Sequence, residues 1–315
     1  MSTPRTVADL GEFAFVSRIT RDLAGNAETV IGPGDDAAVV RAPDGRMVAT
    51  TDMLVEGTHF RRDWSSAEDV GHKAAAKNFS DIAAMGARPT ALLVAVGVPG
   101  DLPLEWADGL MDGLRQECGA LDVAVVGGDV VSSDKIVLGV TALGDLGGRN
   151  AVRLDTCQVG DLVAFAGKLG WGAAGYAVLA RGFRSPVQVV AAHRRPEPPY
   201  AAGIAASELG ATAMTDVSDG LISDLSRIAD ASGVRIELTS AALVVPGKLA
   251  EVGAALNVDP MHWILTGGDD YALVATFPAD TALPEQWQVI GAVKEGDGVR
   301  VDGRRWPQGG HEHFR

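Results

Sequence analysis

Short runs rich in β-branched and aliphatic residues alternate along the chain with longer stretches whose apolar positions recur every three or four residues. That pattern predicts an α/β (α+β) architecture. Strands are predicted over 47–51, 91–98, 123–126, 136–143, 162–166, 211–215, 234–238 and 271–277, and helices over 68–85, 104–120, 171–180, 200–209, 222–232 and 247–256. The helix from Glu68 carries its own punctuation, because Ser65 and Ser66 each precede an acid three residues on, and Gly86 and Pro89 follow its end. The turn-rich stretch 144–160 separates two apolar halves and predicts two domains, 1–150 and 151–315.

Composition fits that division. The 315 residues, 47% hydrophobic with 39 glycines, suffice for two cores. The start, MSTPRTVADLGEF, lacks the pattern of a secretory signal, and no apolar run reaches the ~20 residues of a membrane span, so a cytoplasmic protein is expected. Cys118 and Cys157 have neither a CxxC spacing nor a nearby histidine pair, and are expected to be structural thiols. A formal charge of -14 argues against a nucleic-acid partner, which calls for clustered Lys and Arg. The same acidity would repel a phosphate ligand unless divalent cations stood between.

Candidate chemistry lies in acidic loops: GPGDDAAV (Asp35, Asp36), TTDMLVEGTHF (Asp52, His59), NFSDIAAMGA (Asp81), GGDVV (Asp129), TDVSDG (Asp216, Asp219) and TGGDDY (Asp269, Asp270). Oxygen-only clusters suit hard cations such as magnesium, which takes a few carboxylates together with water and substrate phosphates. Asp52 and Asp129 are expected at strand ends, Asp81 on a helix, and Asp216 and Asp219 at a strand-to-helix junction, where an acid can cap the helix or hold metal. Asp44-Gly45, Asp297-Gly298 and Asp302-Gly303 read as polar hairpin turns. GKLGWGAAG over 167–175 invites a phosphate-loop reading but lacks the Gly-Lys-Ser/Thr ending.

In order and spacing, GDDAAV, TTDMLVEGTHF, SDIAAMGARP, GGDVV, DVSDGLISDL and TGGDDY resemble the motif series of the thiamine-monophosphate kinases, from about Gly11 to the terminal HEHF. The resemblance implies a two-domain fold of the aminoimidazole ribonucleotide synthetase type, with an N-terminal domain that dimerises through its sheet into a homodimer. It also implies ATP and several magnesium ions in a cleft between the domains, and thiamine monophosphate as acceptor. Metal roles carry over to Asp35 (or its neighbour Asp36), Thr50, Thr51, Asp52, Asp81, Asp129, Asp216 and Asp219. Nucleotide contacts carry over to Gly128, Asp129, Arg153 and Ser218, with Met111 standing where the family often has tyrosine. Substrate contacts carry over to His59 and Asp269, and loosely to Trp306 as the aromatic over the thiamine end. Asp269 departs from the Glu often found there and is one methylene shorter. A calcium module is the rival from another class, but no DxDxDG loop with a distal Glu occurs.

Overall fold

The computed structural model describes residues 5–34 and 37–306, so Asp35, Asp36 and the terminal HEHF lie outside the described residues. The chain divides into two compact units: one is built from the segments up to Ile82 and from Arg88 to Gly148, the other from Ala83–Ala87 and the chain from Arg149 onward.

The first unit contains α1 (Val7–Leu10), α2 (Glu12–Thr20), β1 (Thr29–Ile31), β2 (Val39–Val40), β3 (Val48–Val55), α3 (Ala67–Ala84), β4 (Arg88–Val98), α4 (Leu104–Ala120), β5 (Ala124–Ser132) and β6 (Val137–Asp145). Its main sheet has the order β3-β6-β4-β5, with β4 and β5 parallel and the other pairs antiparallel. Helix α3 starts at a capping box formed by Ser66. The Asp69 N–H donates to Ser66 Oγ at 3.1 Å, and the Ser66 N–H donates back to the Asp69 carboxylate at 2.9 Å.

Strands β3 and β5 run through their acidic motifs instead of stopping at them, which corrects the expectation of strand-end carboxylates. In VATTDMLV the side chains alternate between the faces of the sheet, so an aspartate in the middle of the strand turns toward α3 without ending the strand. Asp52 pairs with Val140 inside β3, and Asp129 pairs with Ala95 inside β5.

The second unit contains β7 (Leu162–Ala166), α5 (Trp171–Ala180), α6 (Val187–Arg194), α7 (Tyr200–Glu208), β8 (Ala213–Val217), α8 (Leu221–Ser232), β9 (Arg235–Leu238), α9 (Gly247–Leu256), α10 (Pro260–Thr266), β10 (Ala272–Phe277), β11 (Gln288–Lys294) and β12 (Gly298–Val301). Its sheet has the order β12-β9-β11-β7-β10-β8, and only β12 and β9 are parallel. Ala164, Ala166, Met214, Leu273, Ala275, Phe277 and Trp287 form part of one buried cluster, in which Phe277 and Trp287 meet edge to face. Burial of such a cluster is the main favourable term holding the unit together.

Of the three expected hairpin turns only Asp302-Gly303 folds the chain back on itself, through the antiparallel bridge between Val301 and Arg304. Asp297-Gly298 leads from β11 to β12, which are separated by β9, and Asp44-Gly45 links strands of different sheets. Both cysteines are buried and free, and burial pushes the Cys118 thiol up to about 12 and the Cys157 thiol up to about 11. Among the described residues no helix is long and apolar enough to cross a membrane.

Candidate active site

In the first unit, the alternation of β3 decides which motif residues meet. Thr50 and Asp52 face α3. The Thr50 hydroxyl donates to Asp81 Oδ2 at 2.7 Å, and the Lys77 ammonium lies 3.3 Å from Asp52 Oδ1. Lys77 and Asp81 are one helical turn apart on α3, so one face of that helix carries both partners. Thr51 points the other way: its hydroxyl donates to the Val140 carbonyl at 3.0 Å and accepts from Thr141 at 3.0 Å. The structure therefore brings Thr50, Asp52 and Asp81 together and leaves Thr51 on the opposite face.

Asp129 is not brought to Asp52. The register aligns Asp52, Val140, Val94 and Gly128 in one row across the sheet, with Asp129 a single residue further along. Asp52 and Asp129 thus occupy the two edge strands, about 14 Å apart at roughly 4.8 Å per strand. Gly128 is required by close approach, because a Cβ there would lie 1.9 Å from the Val94 carbonyl oxygen. Met111 is buried within α4. His59 accepts the Val55 N–H on Nδ1 at 3.0 Å, which fixes its ring in the loop after β3.

In the second unit, β8 and β10 are antiparallel neighbours, and the loops that continue from their paired ends touch. The Asp269 N–H donates to the Ser218 carbonyl and the Tyr271 N–H to the Val217 carbonyl, both at 2.9 Å. Asp216 is buried inside β8, whereas Ser218 and Asp219 are partly exposed beyond it. Asp269 has a positive φ of 67°. Its carboxylate accepts the Tyr271 hydroxyl at 2.7 Å and lies 3.4 Å from His193 Nδ1. Arg153 is paired with Asp155, whose carboxyl it holds below the usual range. Trp306 is partly buried at the end of the described chain.

Two further acids organise these loops: Asp270, already among the candidate acids of TGGDDY, and Asp224, which the sequence did not single out. Asp270 accepts the backbone N–H groups of Gly170 and Gly172, the latter at 2.7 Å, so the glycine-rich start of α5 is closed by a carboxylate. Burial, together with Asp269, pushes Asp270 up to about 8 against the pull of those N–H donors. Asp224, in the first turn of α8, accepts the N–H groups of Ser218, Asp219 and Gly220 on Oδ2 at 3.1, 3.0 and 3.1 Å. Burial and the neighbouring Asp219 push it up to about 7. The one signal for it was an acid four residues after a glycine at a helix start, inside a motif already notable for other acids.

The donor set at these positions is oxygen only, which fits a hard divalent cation, and the Lys77 ammonium beside Asp52 shows a positive group accommodated there. Among the described residues no three His, Cys, Asp or Glu side chains gather around one point. The separation of Asp52 from Asp129 accordingly suits different ions instead of one shared chelate.

Residues 34–146 match the family described as AIR synthase related protein, N-terminal domain, and residues 158–304 match its C-terminal counterpart. Paired sheet-bearing units with acidic loops thus define an AIR synthase-related protein. Within that class the chain belongs to the thiamine-monophosphate kinase family. It is 48% identical to the thiamine-monophosphate kinase of Mycobacterium tuberculosis over 303 residues, spanning 96% of this chain and 90% of that one. The thiamine-monophosphate kinase structure from Stenotrophomonas maltophilia superposes with a TM-score of 0.81 at 33% identity, covering 94% of this chain and 98% of the other. A structure described as "AaThiL complexed with AMPPCP and TMP" superposes with a TM-score of 0.82 at 31% identity, covering 99% and 100%.

Proposed function

We infer that this chain transfers the γ-phosphoryl group of ATP to thiamine monophosphate, giving thiamine diphosphate and ADP, and does so with magnesium. The observation that carries the reading is the 48% identity over nearly the whole chain to a kinase of that name. A relative complexed with an ATP analogue and TMP supports both substrates.

The acceptor is a phosphate oxygen, already anionic near neutral pH, so no side chain need act as a strong base or nucleophile. Transfer is direct and in line. Thr50, Asp52 and Asp81 would hold one part of the metal set, Asp129 another, and Asp216 with Asp219 a third, with Asp35 or Asp36 as further ligands. Magnesium supplies charge that screens the repulsion between two polyanions and stabilises the phosphoryl group in transit. Gly128 and Ser218 offer backbone and hydroxyl contacts to the nucleotide, and Arg153 a cation for its phosphates once released from Asp155. His59 and Asp269 contact the acceptor. The shorter Asp269 is oriented by Tyr271 and His193, and Trp306 covers the flat, cationic thiamine end.

A cytoplasmic homodimer completes the proposal. Met53 and Val131 are 55% and 54% exposed on the first unit's sheet, apolar area of the kind a second copy covers.

Incubation with ATP, magnesium and thiamine monophosphate should yield one ADP per thiamine diphosphate, abolished by EDTA. ATP binding without either product would sink the proposal.

A further inference from the structure

Three consecutive backbone N–H groups converge on one carboxylate oxygen where β8 gives way to α8. Ser218, Asp219 and Gly220 all donate to Asp224 Oδ2, and the Asp224 side chain has no solvent exposure. Arg227, one turn further along α8, stands 4.0 Å from the other carboxylate oxygen. The turn admits little else: Gly220 has a φ of 122°, and a Cβ there would lie 2.7 Å from the Thr266 carbonyl oxygen.

An electrostatic conflict sits at this turn. The first N–H groups of a helix carry about half a positive charge and favour anions. The metal reading, however, asks Asp216 and Asp219 to hold cations beside those very groups. We propose that Asp224 is a positioning residue that resolves the conflict. Three N–H donors on one oxygen favour the ionised carboxylate against its burial, and that charge is taken up by the same three groups, so the N-terminus of α8 no longer repels a divalent ion, and the turn is held in one shape. This rests on the magnesium reading given above. An ordinary helix cap would need the hydrogen bonds but not the charge, and that difference is testable.

Asp224→Asn keeps shape and an acceptor oxygen while removing the charge. The test is Mn2+ titration of the full chain in the presence of AMPPCP, followed by water-proton relaxation, alongside melting in EDTA and turnover against magnesium concentration. Asp224→Asn should melt in EDTA close to the parent. Its Mn2+ affinity at the weakened site should fall about tenfold, and excess magnesium should restore kcat to within a few-fold. Asp219→Asn, the control, should lose an ion outright. If Asp219→Asn loses an ion while Asp224→Asn binds Mn2+ like the parent, the role of Asp224 is overturned and the metal reading survives. If Asp219→Asn also binds like the parent, the metal reading fails and takes this proposal with it. Should Asp224→Asn not fold, the pair Asp224→Glu and Asp224→Gln repeats the comparison of charge at near-constant shape. Tighter Mn2+ binding by the Glu variant is expected, and equal binding would contradict the proposal.

Discussion

The two units handle their acids differently. In the first, Asp52 and Asp129 sit within strands and Asp81 on a helix, so their positions follow from backbone register, and Asp81 meets the Thr50 hydroxyl while Asp52 meets the Lys77 ammonium. In the second, the acids lie around loops, and the labour is divided. Asp224 and Asp270 are buried and bind backbone N–H groups, while Asp219 and Asp269 beside them remain partly exposed. A sheet supplies rigidity at no further charge cost, whereas a loop needs an acid of its own to hold it still. Substitutions can separate the acids that carry chemistry from the acids that carry shape.

The largest effect is expected at Asp52. Asp52→Asn removes the charge proposed to hold an ion from a position fixed by the strand, so turnover should drop by about two orders of magnitude or more with the melting temperature preserved. Near-normal turnover would remove Asp52 from the metal set. Gly128→Ala probes register itself. A Cβ 1.9 Å from the Val94 carbonyl must push β4 and β5 apart, so a loss of about 1–3 kcal/mol should appear in urea unfolding, together with lower activity. An Ala variant as stable as the parent would show that the edge strand yields freely.

Asp270→Asn probes the loop acids. The Asp270 carboxyl ordinarily titrates near 3.8 and is raised to about 8 in the fold, so between those values the folded chain binds the extra proton. Its contribution therefore favours folding below about pH 4 and is lost as pH rises toward 8, with a slope of up to ~1.4 kcal/mol per pH unit. Asp270→Asn keeps an acceptor for only one of Gly170 and Gly172, so it should melt lower than the parent at every pH, but the fall in melting temperature between pH 5 and pH 8 should flatten. An unchanged slope would mean that Asp270 stays ionised throughout. The smallest effect is expected at Lys77. Lys77→Met frees Asp52 of a competing cation, and should lower the half-activating magnesium concentration by about two- to fivefold. A rise instead would make Lys77 a phosphate ligand.

These contrasts also explain what the sequence could carry. Helices α4, α5 and α9 coincide with their predicted spans: proline or glycine precedes each start, α4 and α9 carry an apolar stripe, and α5 is apolar nearly throughout. The reach of β3 and β5 was hidden because Asp and Gly-Gly read as terminators, while cross-strand pairing overrides such local preference. Short elements such as α1, α2 and β12 lack a periodic run long enough to declare them. Asp52 and Asp81 were legible as candidate chemistry through their residue types, and Thr50 only through the resemblance of its motif to the family's. The tie of Asp270 to Gly172 was not, since about a hundred residues separate the partners and only the sheet brings them together.

The central claim is direct phosphoryl transfer from ATP to thiamine monophosphate on carboxylate-held magnesium. It is tested most directly in a single turnover with γ-labelled ATP and enzyme in excess over thiamine monophosphate. The account predicts that label passes into thiamine diphosphate only when magnesium is present, with none retained on the quenched protein. Label trapped covalently on the chain, or thiamine diphosphate formed in EDTA, would contradict it.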